Sequence, residues 1–160
     1  MQHDSSSMAS NLPMYGREMI ADFNARMAAE TEGRRLDPVL LRAGVESLLA
    51  DPGKGIYYLA ETGSPSAVAG QLMLTFEWSD WRNANFWWIQ SVYVRPESRG
   101  TGVFRALYRH VEGLARSRSD VCGLRLYVER ANANAQQAYA RLGMKRAAYE
   151  MFEIDFVFAH

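Results

Sequence analysis

Residues 86–128 constrain the fold more than any other part of the chain. FWWIQSVYV, residues 86–94, is almost wholly apolar, as a strand covered on both faces must be. It runs through RPESRGTG into a helix whose stripe is Val103, Leu107, Val111 and Leu114. Phe104, Tyr108 and Ala115 widen that stripe, and Arg105, Arg109 and Glu112 face away. GLRLYVE follows, alternating Leu124, Leu126 and Val128, which is the period of a strand. A strand, a helix and a strand in this order form a right-handed crossover between two parallel strands. The glycine turn then lies where the first of those strands ends.

The rest of the chain is arranged around that unit. Ile20, Phe23 and Met27 mark a first helix that stops at Gly33. In LDPVLLRAGVESLLADPGKG, Asp37 caps, Pro38 takes the first helical position, and Leu41, Val45, Leu48 and Leu49 form one stripe. GIYYLAETG is a short strand. In AVAGQLMLTFEW, Val68, Leu72, Leu74, Phe76 and Trp78 alternate with Gln71, Thr75 and Glu77, predicting a strand with one buried face. SDWRNAN is a hairpin loop, so residues 55–94 form an antiparallel meander. NANAQQAYARLG is a helix that starts at Asn132, carries Ala135, Ala138, Tyr139 and Leu142 on one face, and is closed by Gly143. AAYEMFEIDFVF reads as a closing strand. The expectation is an α/β (α+β) fold with a mixed, mostly antiparallel sheet flanked by about four helices. Residues 1–18 read as a polar, disordered leader, and residues 19–160 as one domain without a linker.

Composition excludes several classes of function. Eighteen basic residues balance eighteen acidic ones, so no global field draws the chain to nucleic acid or to anionic lipid. No apolar run reaches the ~20 residues of a membrane helix. The single cysteine, Cys122, excludes an internal disulfide framework and fits a reducing cytoplasm; beside Val121 it reads as a buried thiol. Three histidines and one cysteine show no metal-ligand spacing, so no metal is expected. His110 falls on the polar side of its helix.

The glycine turn carries the first chemistry. Backbone N–H groups of residues 100–104 lie at a helix N-terminus, where unpaired donors and a partial positive charge favour an anion. Glycines at 100 and 102 allow close approach, and Arg99 can add a charge-assisted contact. A plain tight turn would look the same. A P-loop is excluded because no Gly-Lys-Ser/Thr follows. A dinucleotide fingerprint would want a third glycine near Phe104.

Here the chain resembles a family. VYVRPESRGTGV is similar to the acetyl-CoA signature of the GNAT superfamily of N-acetyltransferases, Gln/Arg-x-x-Gly-x-Gly/Ala, with Arg99, Gly102 and Phe104 at its positions. Phe104 departs from the pattern. The downstream half, Asn-x-x-Ala-x-x-x-Tyr-x-x-x-Gly-Phe, is matched by Asn132, Ala135, Tyr139, Gly143 and Met144, with Met in place of Phe. The resemblance covers about residues 20–156. The first strand of the family is not evident before Met19.

The resemblance implies that the parallel strands splay at their C-terminal ends. It places pantetheine against the backbone of Val92, Tyr93 and Val94, and pyrophosphate on Arg99, Gly100, Thr101, Gly102, Val103 and Phe104. It makes Tyr139 the acid that protonates the departing thiolate, a role a phenol near pKa 10 can fill toward a thiol of pKa ~8.5. Asn132 would hydrogen-bond pantetheine or simply cap its helix. The base is the weak point, because WWIQSVYV offers Gln90 and Ser91 but no carboxylate. Glu77 on the neighbouring strand is the nearest candidate, with Glu30 and Glu32 at the end of the first helix. Among Trp78, Trp81, Phe86, Trp87 and Trp88, those facing outward would line an acceptor pocket or a homodimer surface. Trp78, Trp88, Gln90 and Glu30 are the candidate substrate contacts.

The reading is an enzyme that transfers the acetyl group of acetyl-CoA directly to a primary amine on a small molecule or a protein. The alternatives are a non-catalytic acyl-CoA-binding sensor or partner module, and a phosphate-binding α/β domain of another family.

Overall fold

Helix α1 (Met14–Glu32) opens the part of the chain that the computed structural model describes, residues 14–158. The helix thus begins inside the stretch read as a leader; residues 1–13 lie outside the described residues. No strand precedes α1 among the described residues. Helix α2 (Pro38–Ala50) starts as its sequence dictates. The Asp37 carboxylate accepts from the N–H of Val39 at 2.8 Å, and Pro38 has no N–H to leave unpaired.

Strands β1 (Ile56–Thr62), β2 (Ala67–Ser79) and β3 (Ala84–Val94) form the antiparallel meander, and β4 (Val121–Leu126) joins β3 in parallel, giving the sheet order β1-β2-β3-β4. Between β3 and β4 run a 3-10 turn at Pro96–Ser98 and α3 (Val103–Arg116). Val103, Leu107, Tyr108 and Val111 of α3 are buried, on the side of the sheet that carries Tyr58, whose ring meets His110. Helices α1 and α2 cover the other face, where Ile20, Val45, Leu48, Leu49 and Tyr57 form a core packed against Leu59 and Met73. These elements make a first compact unit ending at Tyr127.

A second unit starts at Val128 and holds α4 (Ala133–Arg141). Asn132 caps α4, its Oδ1 accepting from the N–H of Ala135 at 3.0 Å, and Gly143 follows at φ 92°. The expected closing strand does not form. Among the described residues the sheet has four strands, and residues 145–158 make no ladder. Their alternation is strand-like, but a strand exists only through paired backbone groups. Phe152 and Phe156 are each 93% exposed.

Two further expectations change. Gln71 lies on the face of β2 read as outward, yet it is fully buried, because α1 covers that face at this point. Cys122 is half-buried rather than buried.

Candidate functional site

The site begins where the sheet stops pairing. β3 and β4 pair from Asn85↔Val121 to Ile89↔Leu126, and there the ladder ends, although β3 continues for another five residues to Val94. On its other side β3 stays paired, with Gln90↔Met73, Tyr93↔Gln71 and Val94↔Gly70. Between those pairs Ser91 and Val92 oppose Leu72 alone, which is a bulge, and Ser91 takes the left-handed conformation, φ 48°. The segment from Gln90 to Val94 is therefore an edge toward β4, bent at its start and leading straight into the glycine turn.

The turn leaves the N–H groups at the start of α3 without a side-chain cap. Gly100 and Gly102 have φ 77° and 91°, values that side-chain-bearing residues adopt only with strain. Gly102 is the N-cap of α3; no side chain caps the helix there, and no acidic residue occupies its first turn. Thr101 donates to the carbonyl of Ser98 at 2.6 Å, which closes the loop. Val94 and residues 98–105 line a depression of about 710 Å³. Phe104 does not fill it as a substitute for the missing small residue. Its ring lies toward Tyr108, one turn on, with centroids 6.2 Å apart. Arg99 reaches back, its Nε donating to the carbonyl of Val94 at 3.1 Å and its Nη2 pairing with Glu30 at 2.6 Å. The Tyr93 hydroxyl donates to the other oxygen of Glu30 at 3.3 Å.

A second cluster lies further along the sheet. Cross-strand partners share a face, so the pairs Thr75↔Trp88, Glu77↔Phe86 and Trp88↔Arg125 put these side chains together. Glu77 is held by both oxygens, one accepting from Arg125 at 2.7 Å and the other from the Trp88 indole N–H at 2.8 Å. The Arg125 guanidinium lies 3.6 Å from the Phe86 ring centre, and Trp88 stacks on Tyr127 at 4.3 Å. Gln90 donates to the Thr75 hydroxyl at 2.6 Å.

Trp78 pairs with Asn85, on the opposite face, and is 61% exposed. It shares no pocket with Trp88 and Gln90. Glu30 sits with Arg99 at the glycine turn rather than with the aromatic cluster. Trp81 is exposed in the hairpin loop and Trp87 is buried in the core. In the second unit, burial raises the pKa of the Tyr139 hydroxyl above the usual value for a phenol. Sequence reasoning missed Arg125 and Tyr127 because β4 showed only its apolar alternation. It missed Gln71 because a polar residue in an alternating strand normally faces water.

Residues 18–144 of the chain match the model of the acetyltransferase (GNAT) family. The chain belongs to this family. The crystal structure of a possible acetyltransferase from Clostridium difficile 630 aligns with this acetyltransferase at a TM-score of 0.81 and 40% identity, covering 92% of this chain and 95% of that one. A predicted acetyltransferase with acetyl-CoA from Clostridium acetobutylicum shares the fold at a TM-score of 0.69 and 16% identity, covering 93% and 96%. Ribosomal-protein-alanine N-acetyltransferase from Brucella melitensis biovar Abortus 2308 does so at 0.64 and 20%, covering 86% and 94%. No curated protein matches the sequence.

Proposed function

We propose that this acetyltransferase moves the acetyl group of acetyl-CoA to a primary amine by direct attack, without a covalent enzyme intermediate. One observation carries the reading: β3 outruns its ladder with β4 by five residues and delivers them to an uncapped glycine turn. A pantetheine arm fits that edge as an added strand would, accepting and donating along residues 92–94. The pyrophosphate fits the turn, where N–H groups of residues 100–104 and Arg99 supply donors and positive charge.

In the transfer, the amine nitrogen bonds to the thioester carbonyl carbon and the carbon–sulfur bond breaks. Backbone N–H groups near Val92–Val94 stabilise the oxyanion that develops. The departing thiolate takes the proton of the Tyr139 hydroxyl, and the nitrogen gives up its proton. Both candidate bases near the sheet are committed elsewhere: Glu30 to Arg99 and Tyr93, Glu77 to Arg125 and Trp88. Glu77 also lies five residues along β2 from the position opposite the bulge, roughly 16 Å. Its role is to hold the Trp88–Arg125 cluster, which with Gln90 and Thr75 lines the acceptor side. The nitrogen proton leaves through water, and the Tyr139 phenolate takes a proton back from solvent, which restores the hydroxyl.

The commitment of both carboxylates favours a second reading, an acyl-CoA-binding module without turnover. Thiol release from acetyl-CoA against a panel of primary amines separates the two. Transfer to any amine, with loss in Tyr139→Phe, supports the enzyme. Tight acetyl-CoA binding with no release on any amine supports the module.

A further inference from the structure

Ser91 is held at its carbonyl by an open ring of buried polar side chains. The Gln71 Nε2 donates to the Ser91 carbonyl at 3.2 Å and to the Asn24 Oδ1 at 2.6 Å. The Asn24 Nδ2 donates to the Tyr57 hydroxyl oxygen at 2.9 Å. The ring draws one residue from each of α1, β1, β2 and β3. Gln71, Asn24 and Tyr57 are 0%, 6% and 7% exposed.

This ring is not what packing alone would place there. Ile20 and Phe23, which flank Asn24 on α1, are apolar and buried, and the ring of Tyr93, the cross-strand partner of Gln71, is buried too. The Gln71 Oε1 has no hydrogen-bond partner, a cost that methionine of similar shape would not carry. Meanwhile Ser91 holds a left-handed backbone that serine disfavours, so something must keep it there. The ring does so through Gln71, whose amide takes the Ser91 carbonyl. Straightening Ser91 would take one of its two acceptors from the buried Gln71 amide.

We propose that Gln71, backed by Asn24 and Tyr57, is a positioning residue that locks the Ser91–Val92 bulge and thereby sets the angle of the free β3 edge on which the thioester carbonyl is oriented. This deepens the acetyl-transfer reading and rests on it for its kinetic consequence. The ring touches neither reactant. It acts through the backbone of Ser91 on the N–H groups that follow, which must be aimed before the reaction begins.

The test uses the full chain and the variants Gln71→Met and Tyr57→Phe, the latter removing a single oxygen. Gln71→Met should lower kcat at least tenfold with the best amine of the panel, with the KM for acetyl-CoA within threefold. Tyr57→Phe should move kcat in the same direction by less. Ser91→Gly added to Gln71→Met should recover part of kcat, because glycine takes φ 48° without strain. Amide hydrogen exchange of residues 92–94 in the unliganded protein should rise at least tenfold in Gln71→Met while that of β1 stays unchanged. Unchanged exchange at 92–94 in a folded Gln71→Met protein overturns the proposal. So does a loss of kcat that tracks the loss of melting temperature across the variants and is not recovered by Ser91→Gly. A wild type that transfers to no amine refutes the activity instead, and the exchange measurement then decides the ring's role alone. If Gln71→Met does not fold, Tyr57→Phe carries both measurements.

Discussion

Arg99 and Glu30 meet at 2.6 Å, tying the end of α1 to the entrance of the glycine turn. Both side chains are about half exposed, so the pair contributes only ~0–1 kcal/mol to stability. Its consequence is for binding. Arg99→Ala should weaken acetyl-CoA about tenfold, the worth of one charge-assisted hydrogen bond. Glu30→Gln frees the guanidinium and removes a negative charge beside the turn, so it should tighten acetyl-CoA by about threefold at low salt, an advantage that fades as salt screens the site. Calorimetric titration of both variants at two ionic strengths checks this.

Gly102 and Gly113 should respond to alanine with opposite signs. Neither position is crowded, since a Cβ would meet nothing within 4 Å. Gly102 has φ 91°, where a side chain costs roughly 1–2 kcal/mol, so Gly102→Ala should lower the melting temperature and weaken acetyl-CoA together. Gly113 lies inside α3, where alanine is better by about 0.5–1 kcal/mol, so Gly113→Ala should raise the melting temperature by about 1–4 °C and leave acetyl-CoA binding alone. Thermal melts with and without acetyl-CoA give both readouts.

Tyr139→Phe should reduce kcat by about 10²-fold or more, the contribution of one positioned acid. The pH profile follows from the direction of its pKa. Burial raises the phenol, its protonated form is the active one, and that form is lost only as pH rises through a value above the ordinary ~10. The wild-type rate should therefore show no fall between pH 6 and about 9.5 that Tyr139→Phe abolishes. A descending limb near neutrality that vanishes in Tyr139→Phe would refute the assignment.

Glu77→Gln keeps an acceptor for the Trp88 indole and weakens the hold on Arg125. It should raise the KM of the amine severalfold and change kcat by less than about threefold, against the ~10²-fold or greater loss expected of a general base. Steady-state kinetics with the amine varied separate the two outcomes.

The crossover from β3 through α3 to β4 was legible because each element announces itself by period alone, and glycines at 100 and 102 mark the turn between them. The Asn132–Tyr139 helix was legible for the same reason, with its cap and its Gly143 stop. What period could not reveal was which helix covers which part of a face. That is why Gln71, polar and alternating with apolar neighbours, was expected in water and lies at 0% exposure beneath α1. Nor could it show partnership. Residues 147–158 carry the alternation of a strand, but pairing is a property of two segments and not of one. Trp78 and Trp88 look equivalent in the sequence, and only the register places them on opposite faces.

Among the described residues, the β3–β4 ladder ends at Ile89 and leaves the β3 edge beyond it unpaired on that side. An acyl-CoA arm lying along residues 92–94 would complete it, making the substrate a temporary part of the architecture. Thermal resistance then becomes a readout of supply: at a hundred times its dissociation constant such a ligand adds about 2.7 kcal/mol to the folded state. Any ligand that carries that arm, acetylated or not, would hold this enzyme firm against unfolding.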